Sequence, residues 1–168
     1  MILIILLILI IILCIIFGYN AYNNRIQGID YYGVIAYVNT NNGKNYLNGH
    51  VTGIKWECVE YVRRWLMIVK GVTFEDVATA EDIWELKTAK SLKGETLAFI
   101  NGKGIPPVGA LLIYKKTNKY PYGHVAVVVD VNDDIVYVAE QNYSLKKWQG
   151  YSRRVDKKDP VIGWKNIN

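Results

Sequence analysis

Residues 56–69 read Trp56-Glu-Cys58-Val-Glu-Tyr-Val-Arg-Arg-Trp-Leu-Met-Ile-Val69, and their spacing is typical of an amphipathic helix. Glu60 lies one turn before Arg64, the spacing at which an ion pair stabilises a helix. Gly71 predicts the end of the helix. The apolar side chains that share one face are Val59, Val62, Trp65, Leu66 and Val69. We therefore expect a helix with one buried face that begins close to Cys58.

An apolar segment opens the chain. Every residue from Ile2 to Phe17 is apolar and uncharged, and with Gly18 and Tyr19 the segment reaches about the length of a membrane-spanning helix. The basic start and the small residues at a cleavage site that mark signal peptides are missing from it. The sequence therefore predicts a retained transmembrane anchor over residues 1–19. It predicts a single-pass protein of a cell-envelope or viral membrane, with the orientation left open.

Between this segment and the helix, residues 20–50 are rich in Asn, Gly and Tyr. We interpret them as a linker that passes into the domain, with a short strand at Val34–Val38. His50 lies in this linker, has no evident partner, and is interpreted as a surface residue. The domain itself is expected over residues 51–168.

After the helix, the pattern changes from helical to extended. A second, shorter helix is predicted over Glu75–Leu86, because acidic residues at its start suit the helix dipole. The strands predicted beyond Pro106 are Gly109–Tyr114, His124–Val131, Ile135–Gln141 and Gly150–Val155. We expect these strands to form an antiparallel sheet and the fold to be α+β.

Composition limits the class of protein. The chain has 168 residues, of which 21% are charged, so a disordered or fibrous chain is not expected. The net charge of +5 could favour anionic partners such as phospholipid surfaces, wall polymers or nucleic acid. The basic residues occur in pairs, which we interpret as solvated faces: Lys115-Lys116, Lys146-Lys147, Arg153-Arg154 and Lys157-Lys158. We therefore predict no nucleic-acid partner.

The chain contains two cysteines, Cys14 and Cys58. Because Cys14 lies inside the apolar segment, an internal disulfide is not expected, and a zinc site lacks ligands. We predict no metal and no cofactor, and Cys58 should be a free thiol. At the start of a helix, unpaired backbone N–H groups and the dipole favour a thiolate there. The Cys58 N–H could also donate to an oxyanion, although such a cysteine is more often a small buried apolar residue.

A predicted hairpin brings a histidine and a carboxylate together. If a three-residue loop Asn132-Asp133-Asp134 joins the strands, His124 faces Asn142, and Glu140 lies diagonal to it on the same face. Glu140 could then fix the tautomer of the imidazole and stabilise the imidazolium. Asn142 could instead hold the ring or direct its amide at the reaction centre. A two-residue loop would shift the register and move Glu140 and Asn142 to the other face.

These residues resemble a known family, the CHAP domains (cysteine, histidine-dependent amidohydrolases/peptidases). The motifs that carry the resemblance, in order, are Gly53-Ile-Lys-Trp-Glu-Cys58-Val-Glu-Tyr-Val-Arg-Arg-Trp65, Pro107-Val-Gly-Ala-Leu-Leu-Ile-Tyr114, Gly123-His124-Val-Ala-Val-Val128 and Val138-Ala-Glu140-Gln-Asn142. Gly150-Tyr-Ser-Arg153 and Ile162-Gly-Trp164 are similar in particular to the amidase domain of bifunctional glutathionylspermidine synthetase/amidase. The resemblance covers roughly residue 50 to the end.

The resemblance implies a papain-like α+β fold in which the helix that carries the nucleophile packs on an antiparallel sheet. Carried over residue by residue, Cys58 matches the nucleophile, His124 the base, Glu140 the third member and Asn142 the polar residue that follows it. Relatives often have Gln before the cysteine, where this chain has Glu57. An ionised carboxylate there would repel an oxyanion, so the change to Glu57 weakens that role.

We therefore expect a membrane-anchored cysteine amidase or peptidase without an ATP-dependent synthetase part. Glu57 and Trp56 are its candidate substrate-binding or oxyanion-binding residues. The expected partner is an amide substrate, either a peptidoglycan peptide or a glutathionylspermidine-like conjugate. Two hypotheses from other classes compete. One is a catalytically silent CHAP-fold membrane or virion protein, and the other is a basic adaptor at a membrane surface.

Overall fold

The computed structural model describes residues 2–39 and 43–167. Helix α1 covers Ile2–Arg25, and helix α2 covers Cys58–Trp65 and continues as a π-helical turn over Leu66–Lys70. A 3₁₀ turn covers Glu81–Glu85. The strands are β1 Ile26–Asp30, β2 Ile35–Tyr37, β3 Lys44–Leu47, β4 His50–Ile54, β5 Val72–Thr73, β6 Thr88–Ser91, β7 Thr96–Gly102, β8 Leu111–Tyr114, β9 His124–Asn132, β10 Ile135–Ala139, β11 Trp148–Gly150, β12 Arg153–Arg154 and β13 Val161–Ile167.

The main sheet has eight antiparallel strands in the order β12-β10-β9-β8-β13-β7-β6-β5. Alternate residues of β8 and β9 point to opposite faces and form two apolar clusters. The larger cluster joins one face to α2, where Val62, Trp65 and Leu66 are buried. The predicted α+β class and antiparallel sheet are thus observed.

Residues 26–54 contribute four strands, although the sequence was interpreted as a linker over most of this range. Strand β1 pairs in parallel with β11, and β4 crosses the polar side of α2. Gly53 on β4 has φ +143°, and a Cβ there would lie 3.0 Å from the Cα of Glu60. This close approach needs glycine, and it explains how the charged face of α2 becomes buried.

The prediction of a helix over Glu75–Leu86 is wrong for the first half of that range. Tertiary hydrogen bonds hold that half in an irregular conformation, since the Arg63 guanidinium donates to the Glu75 carbonyl at 3.0 Å and to the Asp76 carboxylate at 3.2 Å. The backbone N–H of Ala80 donates to the Tyr122 carbonyl at 3.0 Å. These contacts outweigh a favourable local pattern, leaving the short 3₁₀ turn over Glu81–Glu85.

The hairpin of β9 and β10 has a two-residue turn, so the predicted three-residue loop is wrong. Val136 pairs with Val131, and Asp133 in the turn has φ +51°, as two-residue hairpins favour. A bulge then changes the register, and Val138 pairs with Val128. Beyond the bulge the pairing equals the predicted one, which returns Glu140 to the face of His124.

Helix α1 begins with the apolar segment and ends in a polar one. The uncharged apolar run stops at Phe17, and the helix continues to Arg25 through asparagines, whereas crossing a bilayer takes about 20 consecutive apolar residues. In the described part of the chain, no helix combines the length and apolar character that a bilayer crossing requires. This finding contradicts the transmembrane anchor predicted for residues 1–19 and the predicted single-pass membrane location.

Candidate active site

Cys58 is the first residue of α2 and is 8% exposed. The preceding Glu57 has an extended backbone (φ −80°, ψ 163°), and its side chain makes no capping hydrogen bond to the helix. The backbone N–H groups of the first helical turn, that of Cys58 included, have no acceptor within the helix. The thiol therefore lies at the positive end of the helix dipole, as the sequence predicted.

His124 is the first residue of β9 and is 3% exposed. Its Nε2 lies 2.9 Å from Oε2 of Glu140. Cys58 is close enough to interact electrostatically with the same imidazole. A bulge that the sequence did not predict thus restores the register that joins these residues.

The charge on this imidazole follows from its neighbours. Burial would lower the pKa of His124, but its electrostatic interactions with Cys58 and Glu140 raise that pKa to about 10. Burial likewise opposes the charged form of Glu140, yet His124 and Arg153 hold the pKa of that carboxyl below its usual range. The pair is therefore an imidazolium and a carboxylate near neutral pH.

Glu140 is 1% exposed, and three side chains fix its carboxylate. In addition to His124, the Ser152 hydroxyl donates to Oε1 at 3.1 Å and Nε of Arg153 donates to the same oxygen at 2.8 Å. Arg153 donates further to Asp159 at 2.5 Å and to the Tyr114 hydroxyl at 2.9 Å. From the sequence we assigned no role to Ser152 and interpreted Arg153 as part of a solvated face, although both lie in the quoted Gly150-Tyr-Ser-Arg153 motif. That interpretation is wrong for Arg153, whose side chain is 16% exposed and paired with Glu140.

Three aromatic rings lie around His124. Tyr114, Tyr120 and Tyr143 have ring centroids 5.5, 5.9 and 5.5 Å from that of the imidazole. The Arg153 guanidinium lies 4.1 Å from the Tyr143 centroid. These rings restrict the imidazole to one orientation and shield it from water. Sequence reasoning missed them, because the tyrosines come from three separate segments.

Glu57 and Asn142 lie against each other. The Asn142 amide donates to one carboxylate oxygen of Glu57 at 2.6 Å, and the Asn39 amide donates to the other at 3.0 Å. Both predicted roles for Asn142 involved His124 or the reaction centre, and its amide nitrogen instead holds Glu57. Trp56 packs on Tyr37 with ring centroids 4.3 Å apart, and it is not part of the pocket beside Cys58.

Gln141 is a further residue that the sequence did not single out. Its side chain is fully buried and joins the start of α2 to the segment after β10. Its amide nitrogen donates to the Glu57 carbonyl at 3.2 Å and to the Glu60 carboxylate at 3.0 Å. Gln141 therefore fixes the distance between the two parts of the chain that carry Cys58 and Glu140.

A pocket of about 340 Å³ opens beside Cys58. Its lining comes from β4, the start of α2, the irregular segment 76–80 and Tyr122. A smaller pocket of about 200 Å³ lies beyond Asn142, lined by Gln27, Val38, Asn39, Asn142, Tyr143, Ser144 and Leu145. A thiol, a charged imidazole and two neighbouring pockets form an arrangement that is chemically suited to attack on a carbonyl group and protonation of a leaving group.

Several known proteins are similar in sequence to this chain. The chain is 36% identical over 117 residues to the trypanothione synthetase of Crithidia fasciculata, covering 65% of this chain and 18% of that protein. It is 37% identical over 105 residues to the bifunctional glutathionylspermidine synthetase/amidase of Escherichia coli (strain K12), covering 59% and 17%. It is 28% identical over 137 residues to the glutathionylspermidine synthase of Crithidia fasciculata, covering 68% and 19%.

The chain thus spans less than a fifth of the length of these curated relatives. The CHAP domain family profile matches residues 48–142, which include Cys58, His124, Glu140 and Asn142 and make up more than half of the chain. On this match, the chain belongs to the CHAP domain family, and its amidase relatives support an amidohydrolase type of function.

Proposed function

We propose that this protein hydrolyses an amide bond through a thioester intermediate, with Cys58 as nucleophile, His124 as acid and base, and Glu140 as the residue that orients the imidazole. The observation that carries the proposal is the buried 2.9 Å contact between His124 and Glu140, with Cys58 close enough to the same imidazole to raise its pKa. Membership of the CHAP family and the amidase among the relatives support the reaction class.

In the first half of the proposed reaction, the Cys58 thiolate attacks the amide carbonyl carbon. The carbonyl oxygen becomes an oxyanion, to which the backbone N–H of Cys58 at the helix start can donate. As the C–N bond breaks, the His124 imidazolium protonates the leaving amine, and the acyl group remains as a thioester on sulfur. The negative charge of Glu140 stabilises the imidazolium until that transfer.

In the second half, neutral His124 takes a proton from water, and the hydroxide attacks the thioester carbon. The C–S bond breaks, the acid leaves, and the thiolate–imidazolium pair is restored. The hydrogen bonds from Ser152 and Arg153 keep the Glu140 carboxylate in one position throughout. The imidazole therefore needs no reorganisation between the two halves.

Two classes of substrate fit this reaction: a peptidoglycan peptide and a glutathionylspermidine-like amide. The test incubates the full chain with purified peptidoglycan and, separately, with glutathionylspermidine, and follows new free amines by mass spectrometry. We expect one substrate to be cleaved and Cys58→Ala to reduce the rate by at least about 10⁴-fold. Cys14→Ala is the matched control and should retain the rate. Unchanged turnover by Cys58→Ala would end the nucleophile assignment.

A second candidate function, a binding protein without turnover, is favoured by one observation. Glu57 places a carboxylate immediately before the nucleophile, where an oxyanion would be repelled. Its two oxygens accept hydrogen bonds from the side-chain amides of Asn39 and Asn142, and these bonds hold the carboxylate in place. The same incubation separates the two functions. If the substrate stays bound to the protein intact and no new amines form, the result supports binding alone.

A further inference from the structure

The pocket beside Cys58 has an apolar interior. The aliphatic side chains in its lining are Val51, Ile54, Val59, Val77, Ala78 and Ala80. The exposed ring of Tyr122 completes the wall, and Cys58 itself contributes to the lining. A pocket of about 340 Å³ with such a lining favours an aliphatic group over a charged one.

The two carboxylates in the lining of this pocket already interact with other side chains of the protein. Asp76 lies 3.2 Å from the Arg63 guanidinium, and Glu57 is held by the two asparagine amides. Lys44, the remaining charged residue of the lining, is exposed to solvent. Two of the three charged side chains in the lining are therefore already paired within the protein.

The position of His124 decides which part of a substrate enters this pocket. The leaving amine must approach the imidazole that protonates it, so the amine part lies on the His124 side of the sulfur. The smaller pocket lies on that side, because Tyr143 lines it and contacts the imidazole ring at 5.5 Å between centroids. The larger pocket includes Cys58 but neither His124 nor Tyr143, so it lies on the acyl side.

We propose that the pocket formed by Val51, Ile54, Val59, Val77 and Ala78 is an acyl-side specificity site that takes an aliphatic side chain of a peptide substrate. The proposal rests on the proposed function and extends it to a substrate preference. That side chain belongs to the first or second residue before the scissile bond. A glutathionyl amide carries glycine and cysteine at these positions and fills the pocket less well than leucine.

The test compares three coumarin amides, acetyl-Gly-Gly, acetyl-Leu-Gly and acetyl-Gly-Leu, as substrates of the full chain. We expect kcat/KM for one of the leucine peptides to exceed that for acetyl-Gly-Gly by about tenfold or more. Equal cleavage of all three would overturn the preference and leave the hydrolysis standing. If none of the three is cleaved, the preference and the hydrolysis of peptide amides are both overturned.

A pair of variants tests the site itself. Ala78 is an exposed position in the lining, and Ala78→Asp introduces a charge there. We expect this variant to reduce the leucine preference to threefold or less, while acetyl-Gly-Gly is still cleaved. Ile105→Asp makes a similar change at an exposed position outside the pocket and should keep the preference. A full preference in Ala78→Asp would overturn the assignment.

Discussion

Glu60 and Glu140 are both buried carboxylates that accept a hydrogen bond from an arginine, yet their other neighbours differ in kind. Glu60 is fully buried on α2, and its carboxylate accepts hydrogen bonds from guanidinium, amide and hydroxyl groups of the described residues. These donors are Arg64, Gln141, Asn45 and Thr52. Glu140 is 1% exposed and contacts Ser152, Arg153 and, in addition, the imidazole of His124.

The difference is that one cluster contains a group able to change its protonation state near neutral pH. The donors around Glu60 keep their protons, so that cluster ties α2 to β4 and to the segment after β10. His124 can exchange a proton with Cys58 on one side while Glu140 holds its other nitrogen. Burial and pairing with arginine are therefore common to both sites, and the imidazole marks the one proposed to be catalytic.

The largest expected effect is on the reaction, from Glu140→Gln. This change removes the charge that stabilises the imidazolium and keeps the size of the side chain. We expect kcat/KM to fall by about 10² to 10⁴-fold for any amide that the protein cleaves. The measurement is steady-state kinetics, with circular dichroism to establish that the variant is folded. A value of kcat/KM within threefold of the wild type would remove Glu140 from the mechanism.

The next effect is on stability, from Glu60→Gln. This change breaks the buried ion pair with Arg64, whose Nε lies 2.7 Å from the carboxylate, and leaves its charge unpaired. We expect the free energy of unfolding to fall by about 3–5 kcal/mol, measured by urea denaturation. Glu95→Gln, at an exposed position, is the matched control and should change it by less than about 0.5 kcal/mol. A loss as small as the control's would show that the cluster is not a stabilising one.

The smallest expected effect is that of pH on the free energy of unfolding. The pKa of His124 is raised to about 10, so its imidazolium persists at neutral pH.

The same pKa fixes the sign of the effect on stability. The folded-state pKa of His124 lies above the ordinary value of 6.5, so this pair stabilises the fold fully below that value. Its contribution is lost progressively as the pH rises from 6.5 to about 10. The urea midpoint of the wild type should therefore decrease over this interval, and a His124→Asn variant should lose less over it.

Local patterns predicted the parts of the site that depend on neighbours in sequence. The helix that begins at Cys58, its ion pair between Glu60 and Arg64, and its end at Gly71 follow from spacing alone. The strands that carry His124 and Glu140 follow from β-branched residues and alternation. The helix predicted over 75–86 failed because contacts with Arg63 and Tyr122 override local propensity.

In the hairpin, the predicted proximity of His124 and Glu140 is observed, although the predicted loop length is wrong. The turn has two residues, which alone would place Glu140 on the other face, and the bulge after Tyr137 reverses that shift. Nothing in the run from Val125 to Val131 distinguishes the residue that bulges, because packing on both faces of the sheet decides it. The positions of Ser152 and Arg153 likewise depend on the pairing of β12 with β10.

By itself, the sequence determined the chemistry that is available: one cysteine at a helix start, one histidine at a strand start, and a carboxylate near it in the next strand. These follow from short-range spacing, which the backbone geometry of helices and strands converts directly into position. The tertiary structure decided the charge on His124, the fixed carboxylate of Glu140 and the apolar pocket beside Cys58. Each of these depends on burial and on contacts between distant segments, which local periodicity does not encode.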